Sequence, residues 1–231
     1  MTGGATRTDR PWGALLLDMD GTLIDSMPLH ERSWAQWFVE TGLARNPADG
    51  AGDDFFASTA GRTNAEILRD LLPAASEAEI AALAERKEVI YREIARRELQ
   101  LIAGAAEFCQ AARAAGIRLA VCTAAPRANI AVASERFGLT DWVDAITSPD
   151  DGLRGKPHPD IFLAAAQKLG VAPADCLVYE DAPLGIEAAR RAGMGAVALT
   201  TTLPASAFSG QAHVLDVIAD YRGHRWPARR A

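Results

Sequence analysis

At 231 residues, with 49% hydrophobic and 23% charged side chains, the chain is long enough to bury a sizeable core and too apolar for wholesale disorder. A net charge of −6 supplies no broad basic surface, so neither nucleic acid nor an anionic membrane is expected as a partner, and any anionic ligand must be held locally. The opening stretch MTGGATRTDRP lacks the apolar run of a signal peptide, and no run of about 18 apolar residues is present to span a membrane. A cytoplasmic protein with a short disordered lead-in over residues 1–11 is the expectation. The three cysteines, Cys109, Cys122 and Cys176, are far apart and odd in number, and read as buried reduced thiols.

The first strand-like run, residues 14–17, is short, apolar and followed at once by Asp18-Met19-Asp20-Gly21. From about residue 28 to residue 103 no strand signal occurs, only helix-like pieces at 29–41, 64–72 and 77–99. In the longest, Ile80, Leu83, Ala84, Lys87, Ile90, Tyr91, Ile94 and Leu99 recur near helical spacing among many charges, the pattern of an amphipathic helix. A helical insert placed directly after the first strand's polar loop would stand over the C-terminal edge of a sheet, where it can act as a lid.

Beyond the insert, helical and strand patterns alternate. Helices are expected at 105–115, 128–137, 160–169 and 185–192, and strands at 117–122, 143–146, 176–179 and 196–199. This is the signature of an α/β doubly wound, Rossmann-like parallel sheet, with a core over residues 12–27 and 104–231 and an all-helical cap over 28–103. In such a sheet ligands bind past the C-terminal ends of the strands, so the polar residues there carry the interest.

Four polar clusters occupy those ends. Asp18 and Asp20 follow the first strand, Thr123 closes the second, Lys156 sits in Gly155-Lys156-Pro157-His158-Pro159, and Glu180-Asp181 follows Val178-Tyr179. Each has a bland reading, respectively an Asp-rich turn, a helix cap, a solvated lysine and a capping pair. Together they make a complementary set. Asp18, Asp20 and Asp181 offer the oxygen ligands that magnesium prefers, while Thr123 and Lys156 offer donors and positive charge to phosphate oxygens.

In that order the stretches LLLDMDGTLIDS, VCTAAP, GKPHPDIF and VYEDAPLGIEAARRAGM resemble the four motifs of the haloacid dehalogenase superfamily, with the resemblance running from about residue 13 to residue 221. The insert between the first two motifs is similar to the helical cap of the group containing β-phosphoglucomutase and many sugar-phosphate phosphatases. The resemblance implies that Asp18 is the nucleophile and Asp20 the acid/base, with Asp18 ionised and Asp20 arriving protonated, their pKa values pushed apart. It implies Mg2+ held by Asp18, the Asp20 backbone carbonyl, Asp181 and Glu180, and phosphate held by Thr123, the Ala124 amide and Lys156. The implied substrate is a small-molecule phosphate ester, a sugar or sugar-like phosphate, and the implied assembly a monomer or weak dimer.

Departures from the family pattern bear on the reaction. An acid at residue 20 argues against carbon-halogen and carbon-phosphorus cleavage. Where β-phosphoglucomutases carry a lysine and an arginine for a second phosphate, this chain has Ala60 and Asn64, which favours hydrolysis over phosphomutase activity. Arg62 either faces the crevice and binds a substrate anion or pairs with a local carboxylate such as Glu66. His30 stands where mutases have a histidine that relays cap closure, or is a partly buried helix histidine. Arg127 either reaches the phosphate or marks a helix start. Trp34, Trp37 and Phe38 have the spacing of a buried stripe, which leaves Phe55 and Phe56 as the aromatic candidates for substrate contact.

Overall fold

A computed structural model describes residues 11–43, 55 and 62–228, so Ala60 and Phe56 lie outside the described residues, as do residues 1–10 of the expected lead-in. A six-stranded parallel sheet is formed by β1 (Ala14–Leu17), β2 (Arg118–Cys122), β3 (Ala145–Thr147), β4 (Cys176–Glu180), β5 (Gly195–Leu199) and β6 (Val214–Ile218), in the order β3-β2-β1-β4-β5-β6. β1 is central, and its four residues are fully buried because both faces are covered. Leu15 and Leu17 join the core on one face, Ala14 and Leu16 the core on the other, as period-two geometry requires.

The helices are α1 (Met27–Thr41), α2 (Asn64–Leu71), α3 (Glu77–Glu98), α4 (Ala105–Ala114), α5 (Arg127–Phe137), α6 (Leu139–Trp142), α7 (Asp160–Leu169) and α8 (Pro183–Arg191). Capping boxes start α2, through Thr63 and Glu66, and α3, through Ser76 and Glu79, satisfying amides that the helix leaves free. α1, α2 and α3 form the inserted helical cap. Its interior holds Trp34, Trp37, Phe38, Ile67, Leu68, Ile80, Ile90 and Tyr91. The chain enters and leaves the cap side by side: the Asp25 amide donates to the Gln100 carbonyl at 2.9 Å, and the Ile102 amide to the Leu23 carbonyl at 3.0 Å.

The five strands expected from the sequence are present. β6 was not anticipated; it lies at the sheet edge with Asp216 and Val217 exposed, so it never shows the continuous apolar run of a buried strand. The sheet order changes direction between β1 and β4, which opens a crevice at their C-terminal ends. Asp18 ends one of these strands and Glu180-Asp181 the other.

Candidate active site

The Asp18 amide donates to the Tyr179 carbonyl at 3.0 Å, which continues the β1–β4 ladder by one residue and brings Asp18 beside Glu180 and Asp181. The three carboxylates offer oxygens within 4.8 Å of one another, all buried. Two glycines make room for them. Gly21 has φ 74°, and a Cβ there would collide with the Asp181 carboxylate; a Cβ on Gly185, at the start of α8, would collide with the Glu180 carboxylate. Asp181 accepts hydrogen bonds from the hydroxyls of Thr22, at 3.1 Å, and Thr202.

Lys156 is buried against this cluster, its Nζ 2.5 Å from Asp18 Oδ1 and also bonded to Glu180 Oε1. The second Glu180 oxygen accepts from the Ala182 amide at 2.9 Å. One ammonium thus faces three carboxylates. Burial, together with the charges of Glu180 and Asp181, pushes Asp18 well above the usual carboxylate range despite Lys156. Burial and Glu180 push Asp181 up to about 7, and the surrounding carboxylates raise Lys156 in spite of its burial. An all-oxygen donor set with surplus negative charge fits a hard divalent cation of the magnesium type.

Asp20 has a different environment. Its Oδ1 accepts from Ser26 Oγ at 2.7 Å and lies 3.4 Å from His30 Nε2. Burial acts to raise its carboxyl, but the His30 and Ser26 contacts and the charge of Lys87 outweigh burial and hold it low. The two aspartates are therefore pushed apart in the sense opposite to the sequence expectation. The reason is local: Asp18 sits among carboxylates, and Asp20 among donors.

Thr123, Ala124 and Lys156 line one cavity of about 320 Å³ with Asp18, Asp20, Glu180 and Asp181, and the cap contributes His30, Arg62 and Asn64 to the same walls. The Thr123 hydroxyl accepts from the Ala125 amide at 2.9 Å, which fixes the loop after β2. Arg62 is turned onto Asp70, at 2.6 Å, and the Glu66 carbonyl, at 3.2 Å. Its partner is thus a local carboxylate, although Asp70 and not the Glu66 side chain.

For Arg127 the helix start is the reading that holds, and Phe55 does not line the cleft. Arg127 is exposed at the first position of α5, paired with Asp151 at 2.9 Å and absent from the cavity lining, because the helix turns its side chain outward. Phe55 packs edge-on against Trp34 and Phe38, with ring centroids 5.7 and 5.8 Å away, as part of the cap interior and not as a wall of the cleft.

The sequence reading passed over a buried polar network on the cap side. Lys87, only 1% exposed, places Nζ 2.5 Å from His30 Nδ1 and 3.5 Å from Glu88 Oε1, over the rings of Trp34 and Tyr91. His30, stacked on Tyr91 at 3.9 Å, links Lys87 to Asp20 through its two ring nitrogens. Glu88 in turn accepts from the amides of Asn64 and Asn129. The signal was present, since Lys87 falls on the apolar stripe of its helix, where an unpaired ammonium would not be tolerated.

A family model of haloacid dehalogenase-like hydrolases matches residues 12–193. The chain is 33% identical over 222 residues to the validoxylamine A 7′-phosphate phosphatase of Streptomyces hygroscopicus subsp. limoneus, covering 92% of this chain and 95% of that one. It is 34% identical over 185 residues to hexitol phosphatase A of Escherichia coli (strain K12), covering 80% and 81%. A solved family IA haloacid dehalogenase hydrolase from Entamoeba histolytica superposes with a TM-score of 0.79 at 28% identity, over 92% of this chain and 95% of the other.

Proposed function

From its place in the haloacid dehalogenase-like hydrolase family, to which this chain belongs, we propose that the protein is a magnesium-dependent phosphatase of a small sugar or sugar-like phosphate. The observation that carries the reading is the convergence of Asp18, Lys156, Thr123, Glu180 and Asp181 on one crevice at the point where the sheet order reverses. Hydrolysis is supported over phosphate migration by Asn64, which is tied to Glu88 where mutases place an arginine.

In the first step an Asp18 oxygen attacks phosphorus, the ester P–O bond breaks, and Asp20 gives its proton to the leaving oxygen. In the second, Asp20 takes a proton from water, the water oxygen attacks phosphorus, and the Asp18–phosphorus bond breaks to release inorganic phosphate. Thr123, the Ala124 amide and Lys156 hold the equatorial oxygens. Asp20 in the ionised form favoured here suits the second step. Arrival of a phosphate dianion beside it raises its affinity for the proton that the first step needs. Asp18, Asp181 and Glu180, with the Asp20 carbonyl, are the groups that would hold magnesium, which when bound offsets repulsion between carboxylate and phosphate.

The test is release of phosphate from an aryl phosphate and a panel of phosphorylated sugars and polyols, with magnesium and with chelator. Turnover that is absent on every ester, or indifferent to chelation, refutes the reading.

A further inference from the structure

The cap-side wall of the cleft contains a polar group that the proposed chemistry does not use. Glu88, on α3, is 8% exposed and lines the cavity together with Asn64 of α2 and Asn129 of α5. Its Oε1 accepts from Asn64 Nδ2 and its Oε2 from Asn129 Nδ2. Arg92 donates to Asn129 Oδ1 at 3.2 Å, which turns the Asn129 NH2 group toward Glu88. Three elements thus converge to fix one carboxylate in the wall.

We propose that Glu88, set by Asn64 and Asn129, is a specificity-determining residue that accepts a hydrogen bond from a hydroxyl of the substrate's leaving group. This rests on the phosphatase reading of the same cleft and assigns its substrate class, a hydroxyl-rich monophosphate. A carboxylate has about four acceptor directions. Among the described residues the two amides occupy two of them and Lys87, at 3.5 Å, a third, which leaves one for a donor from the cavity. Hydroxyls supply such donors; a second phosphate dianion has none. The cations lining this wall among the described residues are already engaged, Lys87 by His30 and Glu88, Arg62 by Asp70 and the Glu66 carbonyl. Burial acts to raise the Glu88 carboxyl, but the charges of Lys87 and His30 and the Asn129 bond hold it low, so the acceptor stays ionised.

The competing role is structural: Glu88 and Asn129 belong to cap and core respectively, and their bond can serve only as a clasp between them. Both roles are separated by comparing a hexitol 6-phosphate with p-nitrophenyl phosphate, whose leaving group offers no hydroxyl, in the wild type, Glu88→Gln and Asn64→Ala with magnesium. The ratio of kcat/KM for the hexitol ester to that for the aryl ester is expected to fall about tenfold or more in Glu88→Gln, chiefly through KM, and in the same direction in Asn64→Ala. Parallel losses on both esters, with the ratio unchanged in both variants, overturn the proposal and leave Glu88 a clasp. If the wild type releases phosphate from neither ester, the phosphatase reading fails separately. Calorimetric titration with hexitol 6-phosphate then decides the recognition role, about tenfold weaker binding by Glu88→Gln supporting it and equal binding overturning it.

Discussion

Lys156 Nζ stands 2.5 Å from Asp18 Oδ1, both groups shut away from solvent, and the same ammonium is bonded to Glu180. Lys156→Ala therefore leaves the three buried carboxylates of Asp18, Glu180 and Asp181 without that counter-charge. Turnover is expected to fall by about 10²-fold or more, and stability by about 3–5 kcal/mol, read from steady-state kinetics and urea unfolding. Asp18→Asn should abolish activity while leaving the protein folded, because an amide cannot form the acyl phosphate. Near-normal turnover in either variant refutes the assigned roles.

The acidic cluster should report on metal directly. Magnesium is expected to raise the melting temperature and chelator to lower it, since binding to the native state alone adds about 2.7 kcal/mol at roughly 100 times the Kd. Asp181→Asn should remove most of that shift. A melting temperature indifferent to magnesium in the wild type counts against the site.

Gly185 lies where a Cβ would meet the Glu180 carboxylate. Gly185→Ala must displace Glu180 or tilt α8, at a cost of about 1–3 kcal/mol. Because Glu180 holds Lys156, a misplacement near 1 Å should carry through to the reaction as a loss on the order of 10²-fold. Thermal melts and kinetics on one preparation check both effects.

His224 offers a pH test remote from the cleft. Its Nε2 lies 3.1 Å from the Tyr179 hydroxyl and its Nδ1 3.7 Å from Asp216. Burial lowers its pKa from the usual 6.5, against the pull of Asp216. A histidine depressed in the folded state contributes stability that is present above 6.5 and lost as pH falls through its folded value, because the unfolded chain then binds the extra proton. Relative to a His224→Asn variant, the wild type should lose more stability between pH 7.5 and pH 5 in urea titrations; equal losses refute the assignment.

Arg127→Ala is the contrasting case. The side chain is exposed, paired with Asp151 among the described residues and not part of the cavity lining, so kcat and KM should change by less than about twofold. A large rise in KM would return Arg127 to the phosphate site.

The strands buried on both faces were legible because burial on two sides demands an unbroken apolar run, as in Leu15-Leu16-Leu17. Asp18, Thr123 and Glu180-Asp181 were legible because polar residues at strand ends interrupt that pattern abruptly, whereas Lys156, in the connection between β3 and α7, stood out only through the motif around it. Lys87 was legible only as a charge on the apolar stripe of its helix, and Glu88 not at all, since a charged residue on a helix is ordinarily solvated and tertiary packing decides what an enclosed one meets. The state of Asp20 was unreadable for a related reason. It depends on His30 and Ser26, brought to it by the turn into α1, and on Lys87, which arrives from a helix some 60 residues later.

The two chain crossings between cap and core, Leu23–Asp25 and Gln100–Ile102, are hydrogen-bonded neighbours. An insertion whose ends already touch imposes almost no spacing demand on the scaffold that carries it. The segment between the crossings can therefore vary in length without straining the sheet, provided it returns Ser26, His30 and Lys87 to Asp20. Changes elsewhere in that segment leave Asp18 and Asp181, which follow β1 and β4, where the sheet puts them.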